Sequence, residues 1–197
     1  MTSLILIRHG ETDWNRARRI QGTTDIPLND TGRAQAAARG RQLLETLPSG
    51  VPLRIASSDL SRARETAEII ADALSISAPR TFRDLRERNY GEAEGVSIEE
   101  FAQRWGAWHD AEVPGAESRA DLRVRALRGL AAAVDDGDTT DPDAHVLVVA
   151  HGALIREVLG HASDDRLPAA GERLHNGSAQ RFVWQDGSPR LVEYAPV

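Results

Sequence analysis

The chain has 197 residues, 41% of them hydrophobic, with no cysteine and a net charge of -6. That length suits a single domain spanning 1–197, and the hydrophobic share is too high for a disordered chain. The missing cysteines exclude disulfides, thiolate metal sites and a cysteine nucleophile, and the acidic balance argues against a nucleic-acid partner.

All 24 basic residues are arginine. Without lysine there is no Walker A loop, no Schiff base and no lysine general base. The longest apolar run, residues 146–150, has the length of a strand and not of a membrane span. The opening stretch before Arg8-His9 has no basic leader region, so a cytoplasmic location is expected.

Residues 4–7 form an apolar run that ends in a charged pair, the pattern of a buried strand. Residues 31–47 predict a helix with Thr31 as N-cap and Pro48 beyond its end. A strand at 53–57 leads into a helix starting between Ser58 and Ser61, whose apolar face is Ala63, Ala67, Ile70, Ala71 and Leu74. Residues 78–82 read as a third strand and 85–95 as a charged, glycine-containing loop. Helices are expected at 98–108 and 119–134, then an acidic loop at 135–143 whose aspartates do not match a calcium loop. Residues 145–150 form the strongest strand, apolar on both faces, and 152–159 a helix. Two closing strands, 179–184 and 191–194, flank Asp186-Gly187 as a hairpin turn. Strands alternating with helices predict an α/β fold with a mainly parallel central sheet covered on both faces.

His9 and His151 each follow an apolar strand and precede a glycine. Ligands of open α/β sheets bind beyond the carboxyl ends of the strands, where both histidines would stand. Arg8, and Arg62 in the first turn of a predicted helix, add fixed positive charge of the geometry that suits phosphate oxygens. A neutral imidazole can attack phosphorus if its other nitrogen donates to a fixed acceptor. The departing alkoxide needs a proton, for which Glu87 in the 85–91 loop is the candidate.

Four segments carry a family resemblance: Arg8-His9-Gly10-Glu11-Thr12, Ser57-Ser58-Asp59-Leu60-Ser61-Arg62-Ala63, Leu85-Arg86-Glu87-Arg88-Asn89-Tyr90-Gly91 and Ala150-His151-Gly152. In kind and order they resemble the histidine phosphatase superfamily, which contains cofactor-dependent phosphoglycerate mutases and broad-specificity phosphatases. The resemblance implies a three-layer α/β/α sandwich and no metal or other cofactor. It implies His9 as the phosphorylated nucleophile, with Arg8, Arg62 and His151 completing the phosphate pocket and Glu87 as proton donor. Asn15, Gln21, Gly22, Tyr90 and Gly152 match positions that line phosphate or substrate, the expected partner being a small phosphorylated metabolite. Self-association as a homodimer is left open.

Mutases have a substrate lysine where this chain has Ile98, an Arg-Arg pair where it reads Trp108-His109-Asp110, and asparagine where it has Ala153. Pro114-Gly115-Ala116-Glu117-Ser118 resembles a stretch of the phosphatase branch. The loop Glu87-Arg88-Asn89-Tyr90-Gly91 is closer to the mutase wording, and Arg19, Arg86 or Arg88 could replace the missing cations. The balance favours a phosphatase, with phosphoglycerate mutase as the alternative. His109, His145, His161 and His175 are read as surface or structural, and Trp105 and Trp108 as apolar contacts that select substrate.

Overall fold

The structure, a computed structural model, describes residues 1–108, 111–136 and 144–195. Among these residues, six strands form one sheet: β1 (Thr2–Arg8), β2 (Leu53–Ser58), β3 (Arg80–Phe82), β4 (His145–Ala150), β5 (Ala179–Gln185) and β6 (Ser188–Glu193). Their order is β3-β2-β4-β1-β5-β6. The first four run parallel, and β5 and β6 close the edge antiparallel. Asp186 and Gly187 both take positive φ between β5 and β6, which matches the twist of a tight hairpin.

The two-residue period of a strand divides the apolar runs between two cores. Leu4 and Leu6 of β1, with Val146 and Val148 beside them in β4, face α5 (Arg119–Asp135) and α6 (Gly152–Ala162). Ile5 and Ile7, with Leu147 and Val149, face α2 (Asp30–Thr46) and α3 (Ser61–Leu74). Helices therefore cover both faces, giving the expected α/β/α sandwich. The adjacent strands β1 and β4 continue into helices on opposite faces, and this divergence opens a crevice at their carboxyl ends.

Several boundaries differ from the sequence reading. Helix α2 starts at Asp30 because the Asn29 side chain, rather than Thr31, accepts from the Gly32 N–H at 2.9 Å. A one-turn helix, α1 (Asp13–Arg16), was too short for a periodicity signal. Helix α4 (Ile98–Trp105) stops before Trp108 because Gly106 takes φ +80. The 85–95 loop holds a 3-10 turn at Gly91–Ala93. Strand β3 starts at Arg80 instead of residue 78, and β6 starts three residues earlier than expected, directly after the turn. His109, Asp110 and residues 137–143 of the acidic loop lie outside the described residues.

Close backbone packing fixes the segment after β1. A Cβ on Gly10 would stand 2.4 Å from the Gly32 carbonyl oxygen, and one on Gly32 would stand 2.2 Å from that of Glu11. The first turn of α2 thus requires glycine at position 10. Overpacking of this kind costs about 1–3 kcal/mol. Gly32→Ala is expected to lower the midpoint of urea unfolding at unchanged slope; an unchanged midpoint would contradict this account.

Candidate active site

The carboxyl ends of β1 and β4 bring His9 and His151 together, with ring centroids 5.1 Å apart. The His9 backbone N–H donates to the Ala150 carbonyl at 3.0 Å, extending the pairing of the two strands into the site. Both histidines are buried. The His9 Nδ1 lies 2.6 Å from the Gly10 carbonyl oxygen. A carbonyl can only accept, so Nδ1 carries the proton and the lone pair sits on Nε2.

Arg62, in the first turn of α3, is fully buried. Its Nη1 donates to the Thr24 carbonyl at 2.9 Å and its Nη2 to that of Gly22 at 2.8 Å. Arg8 donates through Nη1 to the Leu174 carbonyl. The Nε of each arginine and both ring nitrogens of His151 are buried without a hydrogen-bond partner in the protein. Buried donors are seldom left so, and a cluster of them calls for an acceptor from outside. An oxyanion has the charge and lone pairs to meet them.

Glu87 is the carboxylate whose charge acts most strongly on both Arg8 and Arg62. Its oxygens accept from the backbone N–H groups of Arg88 at 2.9 Å, Ala153 at 3.1 Å and Leu154 at 3.2 Å. The first turn of α6 therefore holds the protein's own carboxylate beside the pocket. Gly152 lies against Arg8, where a Cβ would stand 3.4 Å from Nε.

The remaining residues singled out from sequence form the frame. Asn15 Oδ1 accepts from the Thr12 N–H at 3.2 Å, and Gln21 Oε1 accepts from the Thr12 hydroxyl at 2.9 Å. Gly22 takes φ +57, and a Cβ there would meet the Glu94 carboxylate at 2.0 Å. That carboxylate receives the N–H groups of Thr23, Thr24 and Tyr90, tying the 22–24 loop to the loop of Glu87. Tyr90 packs on Trp108, at 5.6 Å between centroids, with the Arg88 guanidinium over its face at 5.1 Å.

The model of the histidine phosphatase superfamily, branch 1, matches residues 4–196. The chain belongs to the histidine phosphatase superfamily. It is 36% identical to an uncharacterized phosphatase, PhoE, of Bacillus subtilis, over 98% of this chain and 94% of that protein. It is 35% identical to a probable phosphoglycerate mutase, GpmB, of Salmonella typhi, over 94% of this chain and 86% of that one. Among solved structures, YhfR of Bacillus stearothermophilus is similar with a TM-score of 0.83 at 29% identity, covering 100% of this chain and 98% of that one. A mycobacterial glucosyl-3-phosphoglycerate phosphatase in complex with VO3 is similar with a TM-score of 0.76 at 30% identity, covering 93% of each chain.

Sequence reading of this histidine phosphatase superfamily member missed two residues of the frame. Asn176 lies in none of the segments singled out from the sequence. Its amide donates to the His9 carbonyl at 2.9 Å, the Gly10 carbonyl at 3.2 Å and Asn15 Oδ1 at 3.2 Å. Thr66, one turn after Arg62, accepts from the Gly10 N–H at 3.0 Å. Both act across long sequence separations that no local pattern announces.

Burial, then the charges of Arg62 and Arg8, holds His9 well below the ordinary histidine value. Burial, then Arg62, does the same to His151. Both rings are therefore neutral at neutral pH. The unfolded imidazoles take up protons near about pH 6.5 while the folded ones stay neutral to lower pH. Between these points the unfolded state binds more protons, so stability is lost as pH falls. In phosphate-free buffer the unfolding free energy is expected to drop from about pH 7 to about pH 5, and to drop less in His151→Gln. An equal drop in the variant would contradict the burial of a neutral His151.

Proposed function

We propose that the protein is a phosphomonoesterase that transfers the phosphoryl group of a small phosphorylated metabolite to His9 Nε2 and then to water. The observation that carries this reading is the fixed tautomer of a buried, neutral His9 beside the unpartnered donors of Arg8, Arg62 and His151. A phosphate dianion seated on those donors has its phosphorus within reach of the His9 lone pair. The same donors hold the charge on the equatorial oxygens as the phosphoryl group moves.

In the first step the bond from His9 Nε2 to phosphorus forms and the phosphorus–oxygen ester bond breaks. Glu87, a carboxylate when no ester is bound, takes up a proton as the anionic ester binds and gives it to the leaving oxygen. In the second step water attacks the phosphorus, Glu87 takes up the proton, and the bond to Nε2 breaks. Neutral His9 is restored, and inorganic phosphate leaves with the proton, returning Glu87 to its carboxylate form.

The choice of water over a substrate hydroxyl is supported by the pairing of Arg86 and by the apolar surface beside the Glu87 loop. A phosphoglycerate carboxylate would need a cation. Arg86 is committed to Asp59 through two bonds of 2.7 Å and 2.6 Å. Arg88 donates to the Glu117 carbonyl at 2.8 Å, and Arg19 to that of Gly95 at 2.7 Å. Arg156, whose charge reaches Arg8 and Tyr90, donates to the Glu172 carbonyl. Tyr90 and the half-exposed Trp108 instead offer apolar surface next to the Glu87 loop.

His9→Ala is expected to cut hydrolysis of p-nitrophenyl phosphate on the order of 10^3-fold or more. Retained activity would refute the nucleophile. With 3-phosphoglycerate, phosphate release should exceed formation of 2-phosphoglycerate whether or not a bisphosphoglycerate primer is added. Primer-dependent isomerisation faster than phosphate release would establish the mutase.

A further inference from the structure

We infer that Arg125 and Glu117 are positioning residues that set the aim of the proton donor, and so tune the enzyme to substrates whose leaving oxygen needs a proton. This rests on the reading of Glu87 as that donor. Neither residue touches the phosphate pocket; both act through the backbone of the Glu87 loop.

Arg125 projects from α5 beneath the loop. Its Nη1 donates to the carbonyls of Asp84 and Arg86, both at 2.9 Å, and its Nη2 to that of Glu87 at 3.2 Å. Its remaining donors form a fork on Glu117, from Nε at 2.8 Å and Nη2 at 2.7 Å. All five guanidinium N–H groups are thereby used. Glu117 holds the other half of the loop. Its carboxylate accepts from the Asn89 N–H at 3.3 Å, its backbone N–H donates to the Asn89 carbonyl at 2.8 Å, and its own carbonyl accepts from Arg88 at 2.8 Å.

The pair therefore fixes the backbone before, at and after Glu87, while α6 fixes its carboxylate. Both partners are largely covered, with side-chain exposures of 18% and 16%, so solvent competes little for these bonds. Glu117 pairs the charge of Arg125, part of which still reaches His151. A lysine at 125 has three donors on one tetrahedral nitrogen and cannot reproduce a planar fork plus three carbonyl bonds. This role also accounts for the segment Pro114-Gly115-Ala116-Glu117-Ser118. A Cβ on Gly91 would stand 2.1 Å from the Pro114 carbonyl oxygen, so the segment is laid directly against the donor loop.

The test is the leaving-group dependence of kcat/KM, which reports the first phosphoryl transfer, across phenyl phosphates from p-nitrophenyl to unsubstituted phenyl. A nitrophenolate leaves without a proton, whereas phenolate departs faster with one. In Arg125→Lys and Glu117→Gln, kcat/KM is expected to fall no more than about 3-fold for p-nitrophenyl phosphate but about 10-fold or more for phenyl phosphate. Competitive inhibition by inorganic phosphate should not weaken in either variant. Equal losses on both substrates, or weakened phosphate inhibition, would overturn the inference in favour of general structural support. Glu117→Gln keeps the shape of the side chain, so it carries the test if Arg125→Lys does not fold. Glu87→Gln separates the two readings. If it shows no leaving-group bias, the donor assignment falls and this inference with it. If it shows the bias and the other two variants do not, only this inference falls.

Discussion

The structure depends on one electrostatic constraint: the guanidinium of Arg62 is buried, and the half-buried Arg8 has its Nε shut off from solvent. Among the described residues neither Arg8 nor Arg62 forms an ion pair. Burying unpaired charge is costly, and the protein offsets it with backbone carbonyls from Gly22, Thr24 and Leu174 and with the field of Glu87. What remains uncompensated is a set of donors from Arg8, Arg62 and His151. The same positive field, added to burial, keeps both imidazoles neutral. A pocket that attracts an anion and the neutral imidazole that the proposed mechanism needs thus have a common cause.

The fold supplies this arrangement through connectivity. Strands β1 and β4 pair in parallel and place His9 and His151 at the same height. The helices that follow leave on opposite faces, so the strand ends are not covered by their own chain. Helix α3 delivers Arg62 from one layer, and α6 delivers the N–H groups that hold Glu87 from the other. Around this, long-range polar contacts from Asn176, Thr66 and Arg125 fix loops that would otherwise be free to shift.

The architecture was legible because its signals are local. The unbroken apolar runs of β1 and β4 and the spacing from Ala63 to Leu74 report burial directly. The two histidines were visible as strand-end residues, Arg62 as a charge in the first turn of a helix, and Glu87 as a candidate whose role the motif resemblance sharpened. Less legible were features decided by tertiary geometry. Thr31 reads as the cap of α2, but the Asn29 side chain takes that place by accepting from the Gly32 N–H. Asn176 lies 167 residues from the carbonyl it holds. Arg125 reads as one more arginine on an amphipathic helix, and only the folded loop shows three carbonyls converging on it. Nor does the sequence show that Gly10 admits the backbone of Gly32, or that Gly152 lies against the side chain of Arg8.

The central claim is that the buried cationic pocket is built for an oxyanion. Its most direct test is the thermal stability of the protein titrated with orthovanadate or inorganic phosphate, compared with an Arg62→Met variant. Binding to the folded state alone raises stability by RT ln(1 + [L]/Kd). The account predicts a concentration-dependent rise in Tm for the native chain that is lost in the variant. A native Tm unchanged by either anion, or an equal rise in the variant, would contradict it.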